Sequence, residues 1–173
     1  GLGGSKNAAA VTTLLPLLTP KGPIEVLVSA IRAVAQLDAG QGDGALMAIA
    51  GDGTPGPNVP LEAVTALGAL RAQGALPIVQ DLMTDSWPVM RIAATRAAAA
   101  IDPDTFLIVF ASLQPDRHWT VRAGLAPIIA ASLPPDVALE RLRALLKDED
   151  KRVWPAALRG IIRLRPPDAG GLP

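Results

Sequence analysis

The chain contains no cysteine and no tyrosine, a single histidine, and only two phenylalanines and three tryptophans among its 173 residues. Without thiols there can be no disulfide framework, no thiolate metal site and no thiol nucleophile. One imidazole leaves a zinc centre or a Ser-His-Asp arrangement short of the partners it normally needs. Charge of one sign is lacking as well: sixteen basic residues balance sixteen acidic ones, so the chain as a whole has no field to draw in a nucleic acid or an anionic membrane. Long hydrophobic runs are also missing. The uncharged stretch from Ala123 up to Asp136 is short and carries Pro127, Pro134 and Pro135, so no membrane insertion is expected. No catalytic, metal-ligating or cofactor-binding residue is assigned.

What is present is aliphatic. Hydrophobic residues make up 50% of the chain while aromatics make up 3%, so the core must be built from Ala, Leu, Ile and Val, a composition suited to close-packed helices. The length fits about one domain with a real interior. Apolar periodicity and helix-start signals predict short and long helices in alternation. The short ones are expected at residues 8–18, 45–50, 76–83, 105–113 and 135–147, and the long ones at residues 24–37, 60–71, 86–101, 119–132 and 153–164. Gly74 is expected to end the helix that includes Arg71, and Asp102-Pro103 to open the next short one. The glycine-rich region from Asp38 to Val59 lacks the strand and lysine of a phosphate loop, and Asp38, Asp43 and Asp52 lack calcium-loop spacing. It is read as an eroded repeat.

The organising pattern is an internal repeat. Asp85-Ser-Trp-Pro-Val-Met-Arg91 is echoed by Asp116-Arg-His-Trp-Thr-Val-Arg122, an Asp followed six residues later by Arg, each opening an alanine-rich run. The matching places elsewhere are Gly22, Pro55 and Asp148. Eight residues past each anchor stand Ala30, Ala63, Ala93, Gly124 and Ala156; five past stand Leu27, Pro60, Met90, Val121 and Val153. Leu82, Leu113 and Leu145 lie three before the last three anchors. Small residues let helices approach while apolar neighbours fill the groove between them. Units of this length cannot bury an apolar face alone and must stack.

The Asp85 to Arg91 and Asp116 to Val121-Arg122 patterns resemble HEAT repeats, and the short period is similar to that of phycobilisome-lyase-type HEAT proteins. The resemblance implies an all-α fold, a right-handed α-α superhelix of about five helical hairpins. It also implies a structural ladder between adjacent repeats, made by Asp85, Arg91, Asp116, Arg122 and Asp148. The pattern departs at Trp154, which stands where Arg is expected, and in the first two repeats, which have neither Asp nor Arg. Residues 1–165 are expected to form the array, as a segment of a longer chain whose compartment the sequence does not reveal, and residues 166–173 a linker or tail.

The expected function is a non-enzymatic scaffold that presents a curved helical surface to a protein or peptide. Trp87, Trp119 and Trp154, near the starts of the long helices, are candidates for contacting a partner or for sealing repeat junctions. Arg91 and Arg122 are further candidates, and Arg159 and Arg163 are placed to meet an acidic partner. An alternative is the repeat portion of a larger enzyme, such as a bilin lyase or prolyl isomerase. A third is phosphate-backbone binding through the basic C-terminal region, which is interleaved with acids and lacks stacking aromatics. His118 is read as a turn residue.

Overall fold

The computed structural model describes residues 9–19, 22–37, 40–52, 56, 58–112 and 114–164. Expectations for residues 1–8, Asp38, Pro55, Leu113 and the tail from Arg165 lie outside the described residues. The described residues contain helices and no strand. After α1, helical over residues 9–14, come α2 (Ile24–Gln36), α3 (Asp43–Asp52), α4 (Asn58–Ala69), α5 (Leu76–Leu82) and α6 (Pro88–Ile101). Then follow α7 (Pro103–Ser112), α8 (Trp119–Ser132), α9 (Pro135–Leu145) and α10 (Trp154–Leu164).

In chain order the described helices make about five successive pairs, odd-numbered helix first. The second helices α2, α4, α6, α8 and α10 stack in succession, each packed on the next. The first helices form the other layer: α3 lies on α4, α5 on α6, α7 against α6, and α9 between α8 and α10. The core runs along the seam, with Leu27, Ile31, Val34, Leu46, Ile49, Val64 and Leu67 essentially fully buried. Toward the middle it is carried by Ala94, Ala97 and Ala98 of α6, and in α7 by Phe106 and Phe110, whose ring centroids are 5.3 Å apart. One helical turn separates the two phenylalanines, which puts both on the buried side.

Local chemistry sets the boundaries. Pro77, Pro88 and Pro135 stand in the first turns of α5, α6 and α9, where a missing amide costs nothing. The Asp102 carboxylate caps α7 by accepting from the Thr105 amide at 3.0 Å. α7 accordingly starts at Pro103, two residues before the expected Thr105. α3 is longer than expected, because burial of Leu46 and Ile49 outweighs the low helix propensity of its glycines. The end of α4 corrects the expectation for Gly74. Arg71 adopts φ +51°, with the Ala72 amide bonded to the Leu67 carbonyl and the Arg71 amide to that of Gly68. This is a Schellman ending with arginine in the left-handed place usually taken by glycine. Gly74 sits beyond it, in the short 3-10 turn Gln73–Ala75.

Close approach of second helices depends on glycine, in part at places the repeat register does not mark. A Cβ on Gly68 would lie 2.8 Å from the Ala97 Cα, backbone against side chain, across the α4–α6 contact. On Gly124 it would meet the Ile92 side chain at 2.7 Å, across α6–α8. On Gly160 it would meet Leu142 at 2.8 Å and the Ala126 carbonyl at 3.4 Å. Of the five small residues eight past the anchors, Ala30 and Ala63 are buried and Ala93, Gly124 and Ala156 half-buried.

Candidate functional site

The turns between paired helices hold the chain's polar machinery. An Asp side chain folds back on its own turn: Asp85 Oδ1 accepts from the Trp87 amide at 2.6 Å, Asp116 Oδ1 from His118 at 2.7 Å, and Asp148 Oδ1 from Asp150 at 2.8 Å. The Arg six residues on then joins two turns. Arg91 donates through Nη1 to the Asp85 carbonyl at 2.7 Å, and through Nε and Nη2 to both Asp116 carboxylate oxygens at 2.7 and 2.8 Å. Arg122 repeats this on the Asp116 carbonyl at 2.7 Å and the Asp148 carboxylate at 2.7 and 2.9 Å. Only guanidinium offers this planar fork, one edge to a carboxylate and another donor to a carbonyl.

The ladder is well shielded, with Arg91 and Arg122 buried. Hydrogen bonds from Arg122 hold the Asp148 carboxyl below its ordinary range, against a burial effect that pushes it up. For Asp116 burial is the largest influence and pushes upward, but bonds from Arg91 and the His118 amide together outweigh it and leave the group lowered. Arg91 and Arg122 were also candidates for contacting a partner. Their guanidinium groups are occupied between the repeats, which leaves the ladder as the role their positions support.

The sites of the other candidates differ from one another. Trp87 is the N-cap residue of α6, half-buried beside a groove of about 480 Å³ lined by Ala50, Gly51, Pro60, Leu82 and Met90, with Asp85 at the edge. Trp119 begins α8 and lies beneath the Arg152 guanidinium of the next repeat, 4.1 Å from the ring centroid, a cation–π contact. Arg152 is itself paired with Asp150, whose carboxyl its bonds hold down to about 2. Trp154 stands at the ladder's Arg position and copies half of the arginine's work: its indole N–H donates to the Asp148 carbonyl at 3.0 Å. It has no fork to extend to a further carboxylate. The three tryptophans thus occupy three different places in the repeat.

Arg159 and Arg163 line a groove of about 350 Å³ between α8 and α10, over a floor that includes Ala123, Pro127 and Gly160. His118 caps α8, its Nδ1 facing the Thr120 amide at 3.4 Å and contacting the Thr120 hydroxyl. Among the described residues no cluster of three or more His, Asp or Glu side chains is arranged to hold a metal ion. Sequence reasoning missed the forked Arg32–Glu62 pair between α2 and α4 and the Arg152 cover on Trp119. A signal existed for the first, since the two residues stand 30 apart, about one repeat length.

The repeated Asp-turn, the forward-reaching Arg and the stacked hairpins agree with a comparison of sequence families. The family model described as HEAT repeats matches residues 11–99 and 45–126, together well over half of the chain. The chain belongs to the HEAT-repeat family. No curated protein matches it. HEAT repeats generally serve as protein-interaction scaffolds and are typically non-catalytic. No helix among the described residues of this HEAT array is long and apolar enough to cross a membrane.

Proposed function

We propose that this HEAT array is a non-enzymatic interaction scaffold that holds a protein or peptide partner, with the groove beside Trp87 receiving an apolar side chain of that partner. The groove itself is the observation that supports this reading. Its walls come from two successive hairpins, Pro60 from α4 and Met90 from α6 among them, so its shape is set by the repeat junction before a partner arrives. Preorganised apolar walls beside a large aromatic are the usual makings of an interface hot spot. Trp87 is partly accessible there, and its backbone is tied down through Asp85. Trp119 and Trp154 are engaged with Arg152 and the Asp148 carbonyl, and in this reading they brace the array.

Affinity capture with wild-type protein and a Trp87→Ala variant of unchanged circular dichroism provides the test. The expected result is a partner held by the wild type and lost from the variant. Equal retention by both removes the groove from the reading.

A further inference from the structure

Each ladder arginine is the fourth residue of its helix, Arg91 in α6 and Arg122 in α8, and forks onto the Asp of the next hairpin's turn. The fourth residue of α4 is Leu61, which has no guanidinium to give. The turn it would serve carries Asp85. Asp85 Oδ1 accepts from the Trp87 amide, as Asp116 and Asp148 accept within their own turns. Its Oδ2 has no hydrogen-bond partner, and its carboxylate no ion pair, among the described residues. In the next two turns the corresponding oxygen accepts from an arginine Nε at 2.7 Å. Arg91 lies close by but donates to the Asp85 and Ser86 carbonyls and forks forward onto Asp116, which leaves the Asp85 carboxylate to another donor. Asp85 is half-buried, inside the array, at the edge of the groove of about 480 Å³ that Trp87 and Pro60 also line.

We infer that Asp85 receives an arginine of the partner protein, whose guanidinium forks onto the carboxylate while an adjoining apolar side chain enters the groove beside Trp87. This rests on the scaffold reading of that groove and names the chemistry of the segment it takes. The chain itself uses both halves of such a contact. Arg91 and Arg122 show that an Asp in this turn takes a bidentate guanidinium. Arg152 shows one guanidinium held by a carboxylate and an indole together, paired with Asp150 and 4.1 Å from the Trp119 ring centroid. Asp85 and Trp87 offer the same two groups within one turn. Lysine is the poorer occupant, because its ammonium is a point charge that cannot span both carboxylate oxygens or stack flat on an indole.

The probes are acetyl-leucyl-arginine amide and its citrulline counterpart, which has nearly the same shape without the charge. Each is titrated into nitrogen-15-labelled protein and followed at the backbone amides of Leu82 and Met90. Wild type is expected to bind the arginine probe about fivefold or more tightly than the citrulline probe. Asp85→Asn keeps an oxygen for the Trp87 amide, and so the turn, and is expected to bind both probes at the citrulline level. Leu61→Arg supplies the fork from within the chain. Once circular dichroism shows it folded, it too is expected to lose the preference for arginine, and adding Asp85→Asn should lower its melting temperature more than Asp85→Asn lowers that of wild type. Trp87→Ala reports on the groove and is expected to weaken both probes; unchanged binding of the citrulline probe to it removes the groove reading alone. Equal binding of the two probes to wild type, or an arginine preference that survives Asp85→Asn, overturns the inference and leaves the groove standing. Absence of a saturable shift with either probe overturns both. A wild-type dimer in sedimentation that Asp85→Asn abolishes would assign the arginine to a second copy and likewise overturn the inference.

Discussion

Arg122 makes three hydrogen bonds of 2.7–2.9 Å to two different turns and is buried in doing so. Its removal leaves the Asp148 carboxylate buried without its counter-charge, so Arg122→Ala is expected to cost about 2–4 kcal/mol, read from urea unfolding. Arg122→Lys should recover only part of this, because an ammonium cannot fork across a carboxylate while also reaching the Asp116 carbonyl. An unchanged denaturation midpoint in the alanine variant would remove the ladder from the account of stability. The same contact predicts acid sensitivity. Asp148 and Asp116 are held below the unfolded aspartate value of about 3.9. Their stabilisation is therefore complete above that value and is lost as the pH falls through the depressed folded values. The melting temperature is expected to drop below about pH 4, and Arg122→Ala should flatten the drop.

At the scale of elements, helix contacts divide according to what stands opposite each glycine. Gly68 faces the backbone of Ala97, which cannot move without shifting α6. Gly68→Ala is thus expected to destabilise by about 1–3 kcal/mol despite alanine's better helix propensity. Gly124 instead faces side-chain atoms of Ile92 and no backbone, so Gly124→Ala should cost less, the propensity gain of about 1 kcal/mol offsetting part of the repacking. Equal melting temperatures for the two variants would show that the α4–α6 contact is looser than its geometry. The end of α4 offers a gain: Arg71 holds a left-handed conformation that glycine adopts freely. Arg71→Gly is expected to stabilise by about 1 kcal/mol in thermal unfolding.

Across the whole molecule the junctions are unequal. The third hairpin is joined to the fourth, and the fourth to the fifth, by buried forks, whereas the first is joined to the second by the Arg32–Glu62 pair, whose arginine is 62% exposed. An exposed pair contributes about 0–1 kcal/mol. In a stacked array, where stability is carried largely from neighbour to neighbour, the hairpins without the ladder should open first. Native-state hydrogen exchange is expected to show lower protection in α2 than in α6 and α8, and Arg32→Ala should leave protection in α8 unchanged. Uniform protection along the chain would mean that the array unfolds as one unit.

The sequence by itself determined the succession of helices, their repeat register and the core material, because periodicity and helix-start chemistry act within one or two turns of chain; the expected contrast of short and long fails in the last pair, where α9 and α10 are both 11 residues. α8 is the clearest case, bounded by Trp119 and Ser132 where the pattern placed it. The Asp and Arg positions were legible for the same reason, as a spacing repeated in the chain. Only the tertiary structure decided which atoms those side chains engage and which surfaces remain open. Arg32 and Glu62, Arg152 and Trp119, or Gly68 and Ala97 become neighbours only when hairpins stack, and local periodicity carries no record of that distance. The same holds for Trp87, Trp119 and Trp154, alike in sequence as rare aromatics near helix starts. Stacking sets one beside a groove, one beneath an arginine and one at the ladder's last rung.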